Sequence, residues 1–310
     1  MALTIDTNLA GKIISSNALE AFTNRLAPLQ AFSTSFDNDA GQIGDRIEIP
    51  FVTKFGNDGT STVSAFNTSS NDYATAGSAE IEAVTVSLGN HVKTTWSLQD
   101  VQATEYATAQ LERFGNQKGN DLASKIFTDV SGKWIADNFS NNTVVGVASA
   151  FDLDALLEAR ASVVSRGANP SDCSVLLSSS HYNALLGDSS FQADAYGGSE
   201  AIRQGVIPAI AGFQAVYECP QMPNTDNLVG VITHPSALAV AFRYLAPSGS
   251  GSGAYTRTDR LTNDLGMTMG YRQFYQPETG IDFATLEAVY GYSVVNGDAA
   301  ELLLSVGDED

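Results

Sequence analysis

Two alternating apolar stretches separated by a long polar one limit this chain more than any other feature of its sequence. In residues 43–55, Ile43, Ile47, Ile49 and Phe51 are spaced by polar residues that include Arg46 and Glu48; residues 80–96 alternate again through Ile81, Ala83, Val86, Leu88, Val92 and Trp96. Alternation marks a strand, whose side chains point to opposite faces in turn. The intervening residues 56–78 are small and polar with no pattern. Two strands with such a tip predict an extended hairpin. At ~3.3 Å per residue, arms of about twelve residues reach roughly 40 Å. A lone two-stranded hairpin is marginal in water. It must lie on the body of this chain or on a neighbour.

The remaining elements follow from periodicity and stop signals. Residues 7–27 read as a helix, because Ile14, Ala18, Phe22 and Leu26 recur at four-residue steps and Pro28 follows. Its bases Lys12 and Arg25 are balanced by Asp6 and Glu20, so it is no basic arm. Residues 98–130 read as a long helix with a box-like start at Ser97 and Asp100, and with Val101, Thr104, Thr108, Leu111, Leu122 and Ile126 near one face. At ~1.5 Å per residue such a rod is about 45–50 Å long. Gly115 and Gly119 sit inside it, and two readings stay open: a break between two helices, or a soft point in one.

Asp152 caps a helix over 151–166, with Leu153, Leu156, Leu157 and Val164 as its apolar side and Gly167 and Asn169-Pro170 as its end. An α/β stretch comes next: strand 173–178, helix 179–187, helix 199–205, strand 213–218, strand 228–233 and a short apolar helix 235–241. Residues 248–253, SGSGSG, read as a flexible loop. Residues 264–295 read as two long strands turned at Pro277-Glu278-Thr279-Gly280. Residues 297–310, acidic and without a base, read as a solvated tail, at least beyond Leu304.

Composition narrows the function classes. The chain has 310 residues, of which 16% are charged, with 16 Lys and Arg against 35 Asp and Glu, a net charge of −19. Phosphate contacts need Lys and Arg, so nucleic-acid binding through the backbone is not expected. The two cysteines, Cys173 and Cys219, read as small core residues in a reducing compartment. The opening MALTIDTN has neither a basic region nor an apolar core, so no secretory signal is expected. No stretch has the ~18 uninterrupted apolar residues of a membrane-spanning helix, so no membrane partner is expected.

No motif in the chain carries catalytic chemistry. His91, His181 and His234 are far apart in sequence and read as structural. Asp152 and Asp154 diverge at a helix start. SGSGSG has Gly where a nucleophile elbow needs Ser, and no Lys follows for a P-loop. Gly249, Gly251 and Ala254 fit a dinucleotide fingerprint loosely, but Tyr255-Thr256-Arg257-Thr258 favours a strand where a helix should start. Asn67, Asn138 and Asn141 open glycosylation triplets by chance. No catalytic, cofactor-binding or metal-binding residue is therefore assigned, no cofactor is expected, and the chain reads as a non-enzyme.

The order of elements resembles the major capsid proteins of tailed bacteriophages, an α+β fold of the Hong Kong-phage type. The resemblance lies in the element order and in GDRIEIP at 44–50, GVIPAIAGFQAVYECPQMP at 205–223, HPSALAVAFR at 234–243 and DLGMTMGYRQFYQPETG with LEAVYGYSVV across 264–295. It implies an N-terminal arm at 1–36, an extended hairpin loop at 37–96, and a peripheral domain with a long spine helix from 97–166 and 264–310. The axial domain would be 167–263. No Lys–Asn pair for covalent cross-linking is identifiable, Lys54 being the only Lys near the hairpin tip.

The resemblance further implies a coat protein that self-assembles, as pentamers and hexamers, into an icosahedral head in the host cytoplasm and then in the virion. It would enclose phage DNA without sequence-specific contacts, with portal, scaffolding and cement or decoration proteins as further partners. An encapsulin-type nanocompartment shell is the first alternative, and a soluble enzyme with a dispersed site the second.

Overall fold

The computed structural model describes residues 7–40, 45–52, 81–99, 108–188, 207, 209–223, 225–246, 255–263 and 266–306. In chain order the helices are α1 (Thr7–Arg25), α2 (Thr108–Ser131), α3 (Leu153–Ser165) and α4 (Ser179–Gly187). The strands are β1 (Ser33–Ala40), β2 (Arg46–Val52), β3 (Ile81–Ser87), β4 (Asn90–Gln99), β5 (Asn142–Val144), β6 (Ser174–Leu177) and β7 (Ala215–Glu218). They continue with β8 (Leu228–Thr233), β9 (Leu238–Tyr244), β10 (Arg257–Thr262), β11 (Thr268–Gln276), β12 (Ile281–Val294) and β13 (Ala300–Leu304). The chain divides into two compact units, one of Met1–Ile47, Thr85–Lys133 and Ala239–Ser293, the other of Glu48–Val84, Trp134–Leu238 and Val294–Asp310.

The first unit is built on a mixed sheet in the order β1-β9-β12-β11-β10, with β4 also paired to β12. Strand β1 runs parallel to β9, while β10, β11, β12 and β4 are antiparallel neighbours. One face is apolar: Trp96, Phe242, Met269, Tyr271, Leu286 and Tyr290 are buried. Helices α1 and α2 cover it. Phe22 meets Phe242 edge-on at 6.4 Å, and Trp96 meets Phe114 at 5.6 Å. Burying each such aromatic or large aliphatic side chain stabilises by about 1.5–3 kcal/mol. The four-residue apolar spacing of α1 is what seats it, since Ile14, Ala18, Phe22 and Leu26 are all buried.

Helix α2 is continuous through Gly115 and Gly119. A break between two helices is thus overturned, and the soft point acquires a competing explanation in packing. A Cβ at Gly115 would stand 2.5 Å from the carbonyl oxygen of Ile14, and one at Gly119 would strike the carbonyl oxygen of Ala18. Four residues apart, both glycines lie on one face of α2. They let the α1 backbone approach where a methyl group would hold it off. The obstacle is backbone, which cannot swing aside as a side chain can.

The second unit holds a five-stranded sheet in the order β5-β13-β8-β6-β7. Helices α3 and α4 join its core, where Leu156, Val163, Tyr182 and Leu185 cluster with Val175, Leu177, Ile232 and Leu303. Asp152 caps α3, accepting a hydrogen bond from the Ala155 amide at 2.9 Å. Gly167, at φ 84°, follows its end in the left-handed region that Gly enters without penalty. Strands β2 and β3 form a separate two-stranded sheet.

The structure differs from several expectations. Ser97 does not start a helix: it lies inside β4, which pairs with β12, so the helix begins later, and residues 100–107 are outside the described residues. The predicted strand over 80–96 is two strands in different sheets, separated at Leu88 and Gly89. The tip 56–78, the helix 199–205 and the loop 248–253 lie outside the described residues. The apolar helix expected over 235–241 is strand β9. On α3 the buried residues are Leu153, Leu156, Ala159 and Val163, whereas Leu157 and Val164 are exposed. Residues 300–304 of the supposed tail are strand β13, between β5 and β8 in its sheet.

Replacing Gly115 and Gly119 with Ala tests the packing account. Helix propensity by itself favours Ala by about 1 kcal/mol at each site. Overpacking against a backbone costs about 1–3 kcal/mol per site and reverses that sign. The double variant is expected to unfold at lower urea than the parent. Equal or higher stability would return the glycines to a purely conformational role.

Candidate functional site

Burial and hydrogen bonding define the surroundings of the flagged polar residues. His181 is buried in the first turn of α4, where Nδ1 lies 3.0 Å from the Ser178 hydroxyl and Nε2 3.4 Å from the Gly146 carbonyl. Burial lowers its pKa below the ordinary 6.5, partly opposed by the Gly146 hydrogen bond. His234 is also shifted down by burial, with Asp172 opposing, and its Nδ1 accepts from the Ser236 amide at 3.2 Å. Burial raises the Cys173 thiol to about 11, so it stays protonated, and Cys219 is buried too. Asp152 and Asp188 both cap α3, Asp188 accepting from the Leu153 amide at 2.8 Å. The cleft of about 390 Å³ between them and α4 is thus lined by carboxylates already engaged. Among the described residues no group of three or more His, Cys, Asp and Glu could hold a metal ion.

Two buried carboxylates organise the units. In the second unit Glu301, 1% exposed, lies 2.5 Å from Arg166 Nη2 and accepts from Thr143 at 2.6 Å and Ser162 at 3.0 Å. It ties β13 to α3 and β5. In the first unit Glu287, 5% exposed, lies 2.5 Å from Arg272 Nε and 3.0 Å from His91 Nε2. It thereby links β12 to β11 on one side and β4 on the other. Sequence reading missed both, because each pair joins elements more than ten residues apart and neither residue type advertises its partner.

The sheet around Glu287 has one face under α1 and α2. Directly paired residues share a face, and the registers define the other one rung by rung. Arg260, Gly270, Glu287 and Lys93 form one rung across four strands. Thr258, Arg272, Thr285 and Thr95 form the next, and Phe274, Phe283 and Ser97 the one after. Lys93, Thr95, Ser97, Arg260 and Phe274 are exposed. Gly270 fits tightly there: a Cβ would come within 3.0 Å of the Glu287 side chain and 3.3 Å of the Tyr244 ring. Arg260 lies over Tyr244 at 5.9 Å and Arg272 over Tyr255 at 5.6 Å. Phe274 stacks on Phe283 at 5.1 Å.

Charge is sorted between the two faces. Strands β4, β10, β11 and β12 carry Lys93, Arg257, Arg260 and Arg272 against Asp259, Asp282 and Glu287. Asp259 and Asp282 lie in register with Tyr271 and Tyr275, on the opposite face, as does Arg257. The face of the first rung thus carries Lys93, Arg260, Arg272 and Glu287 from these four strands. The whole chain has the opposite ratio, 16 bases to 35 acids.

Comparison with solved structures identifies the architecture. A structure of Mycobacterium phage Che8 superimposes with TM-score 0.54 at 16% identity over 84% of each chain. The capsid structure of the cyanophage P-SCSP1u gives TM-score 0.53 at 14% identity, covering 89% of this chain and 86% of that one. A virus-like particle from Pyrococcus furiosus gives 0.52 at 12% identity, covering 94% and 97%. The chain has the fold of phage capsid proteins. No protein-family model and no curated protein sequence matches it.

Two measurements check the site assignments. Arg166→Met should leave Glu301 buried and uncompensated, lowering unfolding free energy by about 3 kcal/mol, while Arg166→Met with Glu301→Leu should recover most of the loss. Urea titration of both variants reads this out. The histidines give a pH dependence. His181 and His234 titrate below their unfolded 6.5 when folded, so the stabilisation they contribute is present above pH 6.5 and lost as pH falls through and below it. Chemical unfolding across that range should show falling stability, with a shallower fall for His181→Gln.

Proposed function

We propose that the chain is the structural coat protein of a phage head, self-assembling into an icosahedral shell around the genome. The observation that carries this is the capsid fold match extending over 84% to 94% of the chain in the three structures above. The hairpin supports it. Strands β2 and β3 pair with each other in a two-stranded sheet, an arrangement marginal in water unless something covers it. In this reading the long helix α2 and the sheet of β10 to β12 belong to a peripheral domain, and residues 167–263 to an axial domain near the capsomer centre. The hairpin loop reaches onto a neighbour. The work is done by surfaces, with no catalytic step. Portal, scaffolding and cement proteins are the expected further partners.

The match to a virus-like particle as well as to a phage capsid favours one second reading, an encapsulin-type compartment with a protein cargo. Both shells would look alike, and their contents differ. Purified full-length protein should elute as megadalton particles that are round and closed in negative stain. Nuclease-protected DNA in particles recovered from an infected host supports the head. Protein cargo without DNA supports the compartment. A small soluble oligomer under all assembly conditions would overturn both.

A further inference from the structure

Strand β6 ends at Leu177 and helix α4 begins at Ser179, so Ser178 stands at a strand-to-helix turn. An N-cap serine ordinarily turns its hydroxyl onto an amide of the first helical turn. Ser178 makes no such cap, and its Oγ lies 3.0 Å from Nδ1 of His181 instead. We propose that Ser178 is a base-activated nucleophile and a site of covalent modification, which takes the acyl group of a small activated ester seated in the cleft beside α4. The proposal is independent of the shell reading and adds no step to assembly.

The imidazole is arranged as a base. Its Nε2 lies 3.4 Å from the Gly146 carbonyl, which can only accept, so Nε2 carries the proton and Nδ1 presents its lone pair to the hydroxyl. The ring is 3% exposed and packs edge-on to Phe151 at 5.2 Å, which fixes its plane. Burial lowers its pKa below 6.5, so at neutral pH it is uncharged and able to take a proton. The nucleophile is held as firmly. The Ser178 amide donates to the Val229 carbonyl at 2.8 Å, and its own carbonyl accepts from the Tyr182 amide at 2.8 Å. The Ser180 hydroxyl, 3.2 Å from Ser178 Oγ, can donate to that oxygen as it loses its proton. Ser180 is also 3.3 Å from Nδ1, the longer of the two hydroxyl contacts. Ser178 is half-buried and Ser180 exposed, so the hydroxyl side of the ring is the side that solvent reaches.

The cleft supplies a seat for the donor. Ser180, Asn183, Ala184 and Gly187 follow one another at three- and four-residue steps along one stripe of α4. The last three line the cleft of about 390 Å³ together with Phe151, whose ring also packs on His181. The cleft therefore begins about one turn from the hydroxyls, and its volume suits a small organic molecule. Asp152 and Asp188 in its wall disfavour an anionic donor, so the ester is a neutral one.

The step balances within these groups. Ser178 Oγ bonds to the carbonyl carbon of the ester as its proton passes to His181 Nδ1. The bond from that carbon to the leaving oxygen breaks, the leaving group keeps the electron pair, and it takes the proton back from Nδ1. An O-acyl serine, a free alcohol or phenol and a neutral imidazole remain.

The test treats the full chain with 4-nitrophenyl acetate near neutral pH and follows acetylation of each serine by mass spectrometry of its peptides. Ser165, exposed on α3 with its hydroxyl donating to the Ser162 carbonyl, is the reference. Ser178 is expected to be acetylated about a hundredfold faster than Ser165. His181→Gln, with an unchanged circular dichroism spectrum, should bring the two rates within a few-fold of each other. Where that variant disturbs folding, the parent in denaturing urea takes its place, and Ser178 should then fall to the rate of Ser165. Equal rates at Ser178 and Ser165 in the folded parent overturn the proposal, as does acetyl on Ser180 in place of Ser178. So does an undiminished rate at Ser178 in folded His181→Gln or in the unfolded chain.

Discussion

The first unit depends on one strand. Residues 281–294 pair with residues 90–99 on one side, and on the other with β11 and β9, so segments nearly two hundred positions apart in sequence are brought together by a single backbone ladder. Its inward residues, Ala284, Leu286, Ala288 and Tyr290, are buried, and its outward Glu287 fixes the two flanking strands through Arg272 and His91. The Tyr290 hydroxyl reaches Asp129 on α2 at 2.5 Å, and burial together with this hydrogen bond raises the tyrosine pKa far above its ordinary value. Sheet and helix layers are therefore joined by a group that stays protonated and donating.

The same logic sets when the units can be completed. Strand β13, a few residues beyond β12, sits between β5 and β8 in the second sheet. Neither sheet is whole until the last fifty or so residues are in place, because loops of such length must close before their contacts reward them. The chain passes between the two units several times, so each is assembled from pieces that cannot bury their apolar faces alone. The close approach of α1 to α2 at Gly115 and Gly119 is a shape-dependent contact, since backbone stands where a Cβ would go.

Legibility in the sequence followed the range of the interaction. Local signals were readable: the four-residue spacing of α1, the Asp152 cap, the strand 228–233, and the turn at 277–280, whose Gly280 sits at φ 64°. The run LAVAFRY at 238–244 was misread because a short, wholly apolar, alanine-containing stretch has no period to separate a buried strand from a buried helix. Strand β1, STSFDNDA, is polar enough to pass for loop, and it becomes a strand through parallel pairing to β9. Ser97 followed by Asp100 imitates a helix start, but the ten-residue ladder with β12 overrides that local preference. The sheet face around Glu287 was not legible at all. Arg260, Gly270, Glu287 and Lys93 form a rung only after the register of four strands is known.

Where the positive charge goes matters as much as how little there is. Arg166 and Arg272 are committed to buried carboxylates, and Arg257 to Asp259 beside Tyr271. Removing any of these would strand a carboxylate in a poorly hydrated site, so the interior draws on a small supply of cations before the surface does. What remains outside is more negative than the composition suggests wherever no cations gather. For a chain that meets copies of itself, that distribution has a physical consequence. At ~0.15 M salt the Debye length is about 8 Å, so repulsion between whole acidic surfaces fades over one interface thickness while opposite charges in contact keep most of their attraction. In the proposed shell, copies would then approach without strong long-range preference and be sorted by the contacts they make at short range.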